Sequence, residues 1–330
     1  MLRRAITAAA LMLTASHAAA QCVGTSYFDL LDDSQIAQID AAASALPYPE
    51  GLIWDATRGD QAITVVGTMH IFDPRLVPIY DMIAEDVMGA ELVLLEATPD
   101  DQRALEALMV EDPAMFMITD GPTLPDLLDE ETWALLSQAS SERGVPGFMA
   151  AQMQPWYLSL LMAIPPCAMA ELASGIEGLD GLISRLARDS DVPMRALEPY
   201  TTLFDFFQTG TMDDQIDMLR LSLISPETQQ QQFVAMLDSY FSGQIARLWE
   251  MSRLAVNDLP GLDPETGAAL FAEMEEALLN QRNRDWMPVI AQAMDDHDTI
   301  VAAFGAAHLI GEYGVLQLLE NDGWDLQRRY

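Results

Sequence analysis

Lysine is absent from this 330-residue chain: all 16 basic residues are arginines, set against 51 aspartates and glutamates, for a formal net charge of −35 at pH 7. The absence excludes covalent catalysis through a lysine Schiff base. So lopsided an acidity repels nucleic acid and anionic membrane surfaces, and neither is expected as a partner; the excess reads as a solvated surface rather than a functional patch. Cysteine is nearly absent too. Cys22 and Cys167 are the only two, and neither lies in a Cys-x-x-Cys or beside a histidine, so they are not read as metal ligands. Beyond the N-terminus no segment reaches the roughly 18 uninterrupted apolar residues that a spanning helix needs, so no integral membrane segment is expected in the mature chain. There is no Gly-x-Ser-x-Gly nucleophile elbow and no Gly-x-Gly-x-x-Gly loop, which disfavours a serine hydrolase of that type and a dinucleotide site.

What is present begins with a targeting pattern. Arg3 and Arg4, a short apolar stretch from Ala5 to Ala15, and Ala18-Ala19-Ala20 read as a secretory signal peptide over residues 1–20, cut near Ala20. A periplasmic or secreted protein is therefore expected. In such a compartment two cysteines make one disulfide the simplest arithmetic, Cys22 to Cys167, with two unrelated thiols as the alternative. A loop that long contributes roughly 4–5 kcal/mol on the chain-entropy model. At 50% hydrophobic and 20% charged, the rest of the chain has ample material for a core.

Strand signals are few and short. "GLIWDATR" (51–58) and "AITVVGTMH" (62–70) flank a Gly59-Asp60 turn; "ELVLLEA" (91–97), "PMRALEP" (193–199) and "TIVAAFGAAH" (299–308) are further candidates, and "GWDLQRRY" reads as an edge strand. Helices are expected at 75–89 and 178–190, giving recurrent strand-helix-strand units. Two blocks rich in Leu, Met, Ala, Gln and Glu, about 101–174 and about 201–292, read as helical insertions, with Asp263 as an N-cap. The expectation is an α/β fold over residues 21–330: a central, mostly parallel sheet with site residues at strand C-terminal ends, plus these large insertions. The 20 methionines are read as adaptable core filler.

Four of these strands end in a residue that a purely structural strand does not need: His70, Glu96, Glu198 and His308. Ligands of open parallel sheets bind beyond the carboxyl ends of the strands, so a shared strand direction places two imidazoles and one or two carboxylates in one crevice. Two His and a Glu suit a divalent transition metal of unknown identity that keeps positions open for water and substrate. Gly67 and Gly305, each three residues before its histidine, let the chain turn off the strand or approach a ligand closely. Each residue also has a plainer reading. Either histidine alone serves as a capping or core-bonded residue, Glu96 and Glu198 as partners for arginine, and His297 in "DDHD" as a solvated surface residue.

These residues together resemble the TraB/PrgY/GumN family, which includes the Tiki proteases and looks related to erythromycin esterase and the haem-binding lipoprotein ChaN. The likeness is carried by "GTMH", "GAAHLIGEYGVLQLLENDGW", the glutamate of "LVLLEA", "GLDGLISRLARDSDVPMRALEP" and the "RN" of "NQRNRDW", and runs over roughly residues 45–330. It implies an α/β core and a metal-dependent peptidase site at His70, Glu96 and His308. Arg282 and Asn283 match the family's Arg-Asn pair, with Arg282 expected to bind a substrate carboxylate or an oxyanion. Glu198, Asn283 and Asp180 are expected beside the ligands. The functional expectation is an exported metal-dependent hydrolase acting on a peptide or a related amide or ester. The alternatives are a periplasmic protein binding haem or another small ligand, and an interaction protein using the same site without catalysis.

Overall fold

In the computed structural model, which describes residues 22–208, 210–256, 259 and 262–330, the chain enters its sheet through a hairpin. Strands β1 (Ile53–Arg58) and β2 (Gln61–Thr68) pair antiparallel across Gly59-Asp60, with Arg58 opposite Gln61. The expected signal peptide, residues 1–20, lies outside the described residues. Four strands follow: β3 (Leu92–Leu95), β4 (Met194–Ala196), β5 (Thr299–Gly305) and β6 (Asp325–Arg328). Their order is β4-β3-β5-β2-β1-β6. β4, β3, β5 and β2 form a continuous parallel block, and only the β1 pairings are antiparallel. The sheet is thus mixed and mostly parallel.

The apolar runs explain this order. Ile63 to Thr68, Leu92 to Leu95 and Ile300 to Phe304 are buried without alternation, as expected of parallel strands covered on both faces. Each fully buried Val, Leu or Ile side chain among them contributes about 1.5–3 kcal/mol. The helix Leu76–Gly89 joins β2 to β3, Leu179–Asp189 leads into β4, and Gln281–Asp296 leads into β5. The first two pack on each other, and the third packs against Val315–Asn321. The edge strand β6 is mostly exposed, as its polar sequence dictates.

The two intervening blocks are helical, as their composition predicts, and they share a core of their own. Leu124, Leu136, Leu158 and Met162 from the first pack with Ile216 and Leu219 from the second. Asp263 caps the helix Pro264–Glu275 by accepting from the backbone N–H of Glu265 (3.1 Å) and Thr266 (3.0 Å). That helix continues through a π-helical turn, Glu276–Asn280, into Gln281–Asp296. Cys22 and Cys167 form a disulfide across a sequence separation of 145, with Cα atoms 5.2 Å apart. They line a groove of about 550 Å³ that also takes in Ile71 to Arg75, the loop after His70. No single helix among the described residues is long and apolar enough to cross a membrane.

Candidate functional site

Because β2, β3, β4 and β5 run in one direction, their carboxyl ends share one edge of the sheet. His70 lies just past β2, Glu96 directly after β3, Glu198 just past β4, and His308 in the 3₁₀ turn Ala306–Leu309 that follows β5. The register aligns these ends, with Thr68 opposite Gly305 and Leu95 opposite both Ala303 and Ala196. Gly67 is needed for closeness: a Cβ there would stand 2.6 Å from Leu309 Cδ1 and 3.1 Å from the Ala306 backbone.

Arg282 is the centre of the inner part of the site, and it is 7% exposed. Its Nε donates to Glu198 (3.1 and 3.0 Å), Nη2 donates to Glu198 Oε1 (2.5 Å) and Glu96 Oε2 (2.7 Å), and Nη1 donates to Leu278 O (2.9 Å) and faces His308 Nε2 at 3.2 Å. All five guanidinium N–H groups thus have protein acceptors. The expectation that Arg282 grips a substrate carboxylate or an oxyanion meets a side chain whose donors are already engaged within the protein. Burial lowers its pKa, and the two glutamates more than reverse that.

His308 is 3% exposed and held at both nitrogens. Asn283 gives its amide N–H to Tyr313 O (2.9 Å), so its Oδ1, 2.6 Å from His308 Nδ1, is the acceptor; Nδ1 carries the proton and Nε2 presents a lone pair to Arg282. Burial, reinforced by the positive charge of Arg282, lowers the His308 pKa to about 3, so the ring is neutral. Glu96 accepts from Gly305 N–H (2.5 Å) through its other oxygen. Burial works against its charge, but the neighbouring His308, Arg282 and His70 and that N–H outweigh it and lower its pKa to about 2.

His70 differs in every respect. Its side chain is 67% exposed, and Nδ1 lies 3.1 Å from Asp180 Oδ2. The hydrogen bond to Asp180 raises its pKa to about 9, with burial opposing and the charges of Asp180 and Glu96 assisting. Asp180 sits in the first turn of Leu179–Asp189, and the start of that helix is tied to the histidine loop: Gly178 N–H donates to His70 O (3.1 Å) and Leu179 N–H to Met69 O (2.9 Å). A Cβ on Gly178 would overlap Met69 O and the His70 backbone. Between the exposed pair and the buried cluster lies a crevice of about 160 Å³, lined among others by Thr68, His70, Glu96, Asp180, Glu198 and Arg282. Thr68 Oγ1 and Asp180 Oδ1 are buried there without a hydrogen-bond partner.

The residue types of the expected metal set are all at this edge, but their lone pairs do not converge on an ion position. Glu96 Oε2 and His308 Nε2 both face the Arg282 guanidinium, a permanent cation in the space that a shared ion would take. Among the described residues no three His, Cys, Asp or Glu side chains form a metal-holding group. The residues as arranged therefore do not fit direct ligation by His70, Glu96 and His308.

Such an arrangement, an exposed His-Asp pair beside a buried Glu-Arg-Glu-His cluster at the carboxyl edge of a mostly parallel sheet, defines a class of α/β protein with polar and charged residues gathered at strand ends. The model of the TraB/PrgY/gumN family matches residues 52–328, and the chain belongs to that family. No curated protein matches it.

Sequence reading missed Thr68 and Trp286. Trp286 donates to Glu198 Oε2 (3.1 Å), and its ring centroid lies 4.3 Å from that of His308. Its place four residues after Arg282 puts it on the same helix face, a signal available in the sequence. Asp180, expected beside the ligands, is the partner of His70. His297 is away from this edge, 3.5 Å from Glu91, as its surface reading implied.

Proposed function

We propose that the protein is an exported hydrolase that cleaves an amide or ester bond of a peptide or related small molecule, with His70 as the proton-transferring residue. The observation that carries this reading is the His70–Asp180 pair: an exposed imidazole, oriented through Nδ1, at the mouth of a crevice that holds an ionised carboxylate. With Asp180 favouring its charged form, His70 donates a proton to the leaving nitrogen or oxygen as the bond to the carbonyl carbon breaks. Glu96, with lone pairs left over by Arg282 and Gly305, orients the water whose oxygen forms the new bond. It accepts that water's proton and returns it to His70. Arg282 is a positioning residue in this scheme: it holds Glu96 ionised and fixes both Glu96 and Glu198 in place. The disulfide supports export, because such bonds persist in oxidising compartments.

Ligation of a divalent metal by His70, Glu96 and His308 would require Arg282 to leave both Glu96 and His308. Haem ligation through His308 is disfavoured because both of its ring nitrogens are engaged. The test is turnover of p-nitrophenyl acetate and of dipeptide p-nitroanilides in EDTA by wild type and His70→Gln. Wild type is expected to turn over at least one probe, and the variant to lose about 10²–10⁴-fold. Equal rates, or wild-type turnover that appears only when a divalent ion is added, overturn the assignment.

A further inference from the structure

The crevice says something about what enters it. Three carboxylates line it, Glu96, Asp180 and Glu198, against Arg282 and His70, so its lining carries excess negative charge even with His70 counted as a cation. Arg282 spends all its donors on Glu96, Glu198, His308 and Leu278 O. The unsatisfied groups are oxygens: Asp180 Oδ1, which only accepts, and Thr68 Oγ1, on a residue 3% exposed. A buried carboxylate oxygen without a donor is costly even on a side chain that is 34% exposed, as that of Asp180 is, and Thr68, so deeply enclosed, cannot turn to bulk water for a partner.

We propose that this crevice seats a primary ammonium group of the substrate, donating to Asp180 Oδ1 and Thr68 Oγ1. The inference rests on the reading that the crevice is the substrate site, and it adds the chemical class of that substrate. An ammonium fits better than a metal ion. It is a compact charge with three N–H donors, and it needs only the acceptors that Arg282 leaves unused, whereas a divalent ion needs the lone pairs of Glu96 and His308 as well. Size restricts the guest further. A cavity of about 160 Å³ compares with one of about 150 Å³ that holds a single benzene. One amine-bearing end enters, and the rest of the substrate stays outside. The ammonium is either the α-amine of a chain terminus or a side-chain amine.

Ligand-observed NMR titration in EDTA separates these sources with three probes: alanyl-alanine amide, with only an α-ammonium; N-acetyl-lysine amide, with only a side-chain ammonium; and N-acetyl-alanyl-alanine amide, with neither. The expected result is that one of the first two binds about tenfold or more tighter than the third, and its identity names the source. The preference should shrink towards none in Thr68→Val, which keeps the shape and removes Oγ1, and in Asp180→Asn. Thermal unfolding shows which variants are folded, and either one that is folded suffices. Equal binding of the neutral probe, no binding of any probe at millimolar concentration, binding that requires an added divalent ion, or a full preference in the folded variants overturns the proposal. Because binding is read without turnover, an ammonium preference in a protein that hydrolyses nothing removes the hydrolase reading alone. Turnover without any preference removes this inference alone.

Discussion

His308 and His70 have the same side chain and opposite electrostatics, and the difference is burial. His308, sealed under Trp286 and bonded at both nitrogens, cannot take a proton without a charged ring next to Arg282; its pKa falls to about 3. The unfolded chain protonates this residue near 6.5. Its depressed folded value therefore contributes stability above about pH 6.5, and that stability is lost as pH falls from there towards 3, at a slope approaching about 1.4 kcal/mol per pH unit. Urea unfolding between pH 7.5 and 5 is expected to show this slope in wild type and a flatter one in His308→Gln; parallel slopes would refute the assignment of a neutral, buried ring. At this scale the sequence picked out residues that the fold gathers at one edge of the sheet, but not how they pair. Rare histidines after β-like runs are visible in one dimension. The contact of Arg282 with Glu96, 186 residues away, is not, and neither is the saturation of its donors.

At the scale of elements, β2, β3 and β5 were legible because each holds an unbroken apolar run, and their common direction followed from the helices between them. The π-helical turn Glu276–Asn280 was not legible. "EALLN" has ordinary helical composition, and nothing in it marks the extra residue that precedes Arg282 and Asn283. Gly178 was likewise hidden, since its φ is −66° and only the approach of another backbone demands glycine. Gly178→Ala must push the helix Leu179–Asp189 away from Met69 and His70, and so separate Asp180 from His70. A loss of about 1–3 kcal/mol in urea unfolding is expected from the overlap, together with lower turnover of any hydrolysed probe. A variant of unchanged stability and activity would mean that the helix start and the histidine loop are not coupled.

At the scale of the molecule, the excess of 51 acidic over 16 basic residues sets a term that no single contact cancels. Exposed pairs such as Arg103 with Asp100 and Arg220 with Asp217 recover little, since surface pairs contribute about 0–1 kcal/mol each, and salt weakens them. The unpaired carboxylates repel one another over the surface, and salt weakens that repulsion too. The two effects oppose each other, and the count decides: every arginine could be paired and most acids would still have no counter-ion. The buried Glu96–Arg282–Glu198 cluster is shielded from ions and should respond little. The midpoint of thermal unfolding is therefore expected to rise steadily as NaCl goes from about 0.01 M, where the Debye length is about 30 Å, towards 0.15 M, where it is about 8 Å. Each kcal/mol of relieved repulsion should appear as about 2–4 °C. A flat or falling midpoint across that range, measured by calorimetry at pH 7.5, would show that attractive surface pairs outweigh the net charge in holding the fold.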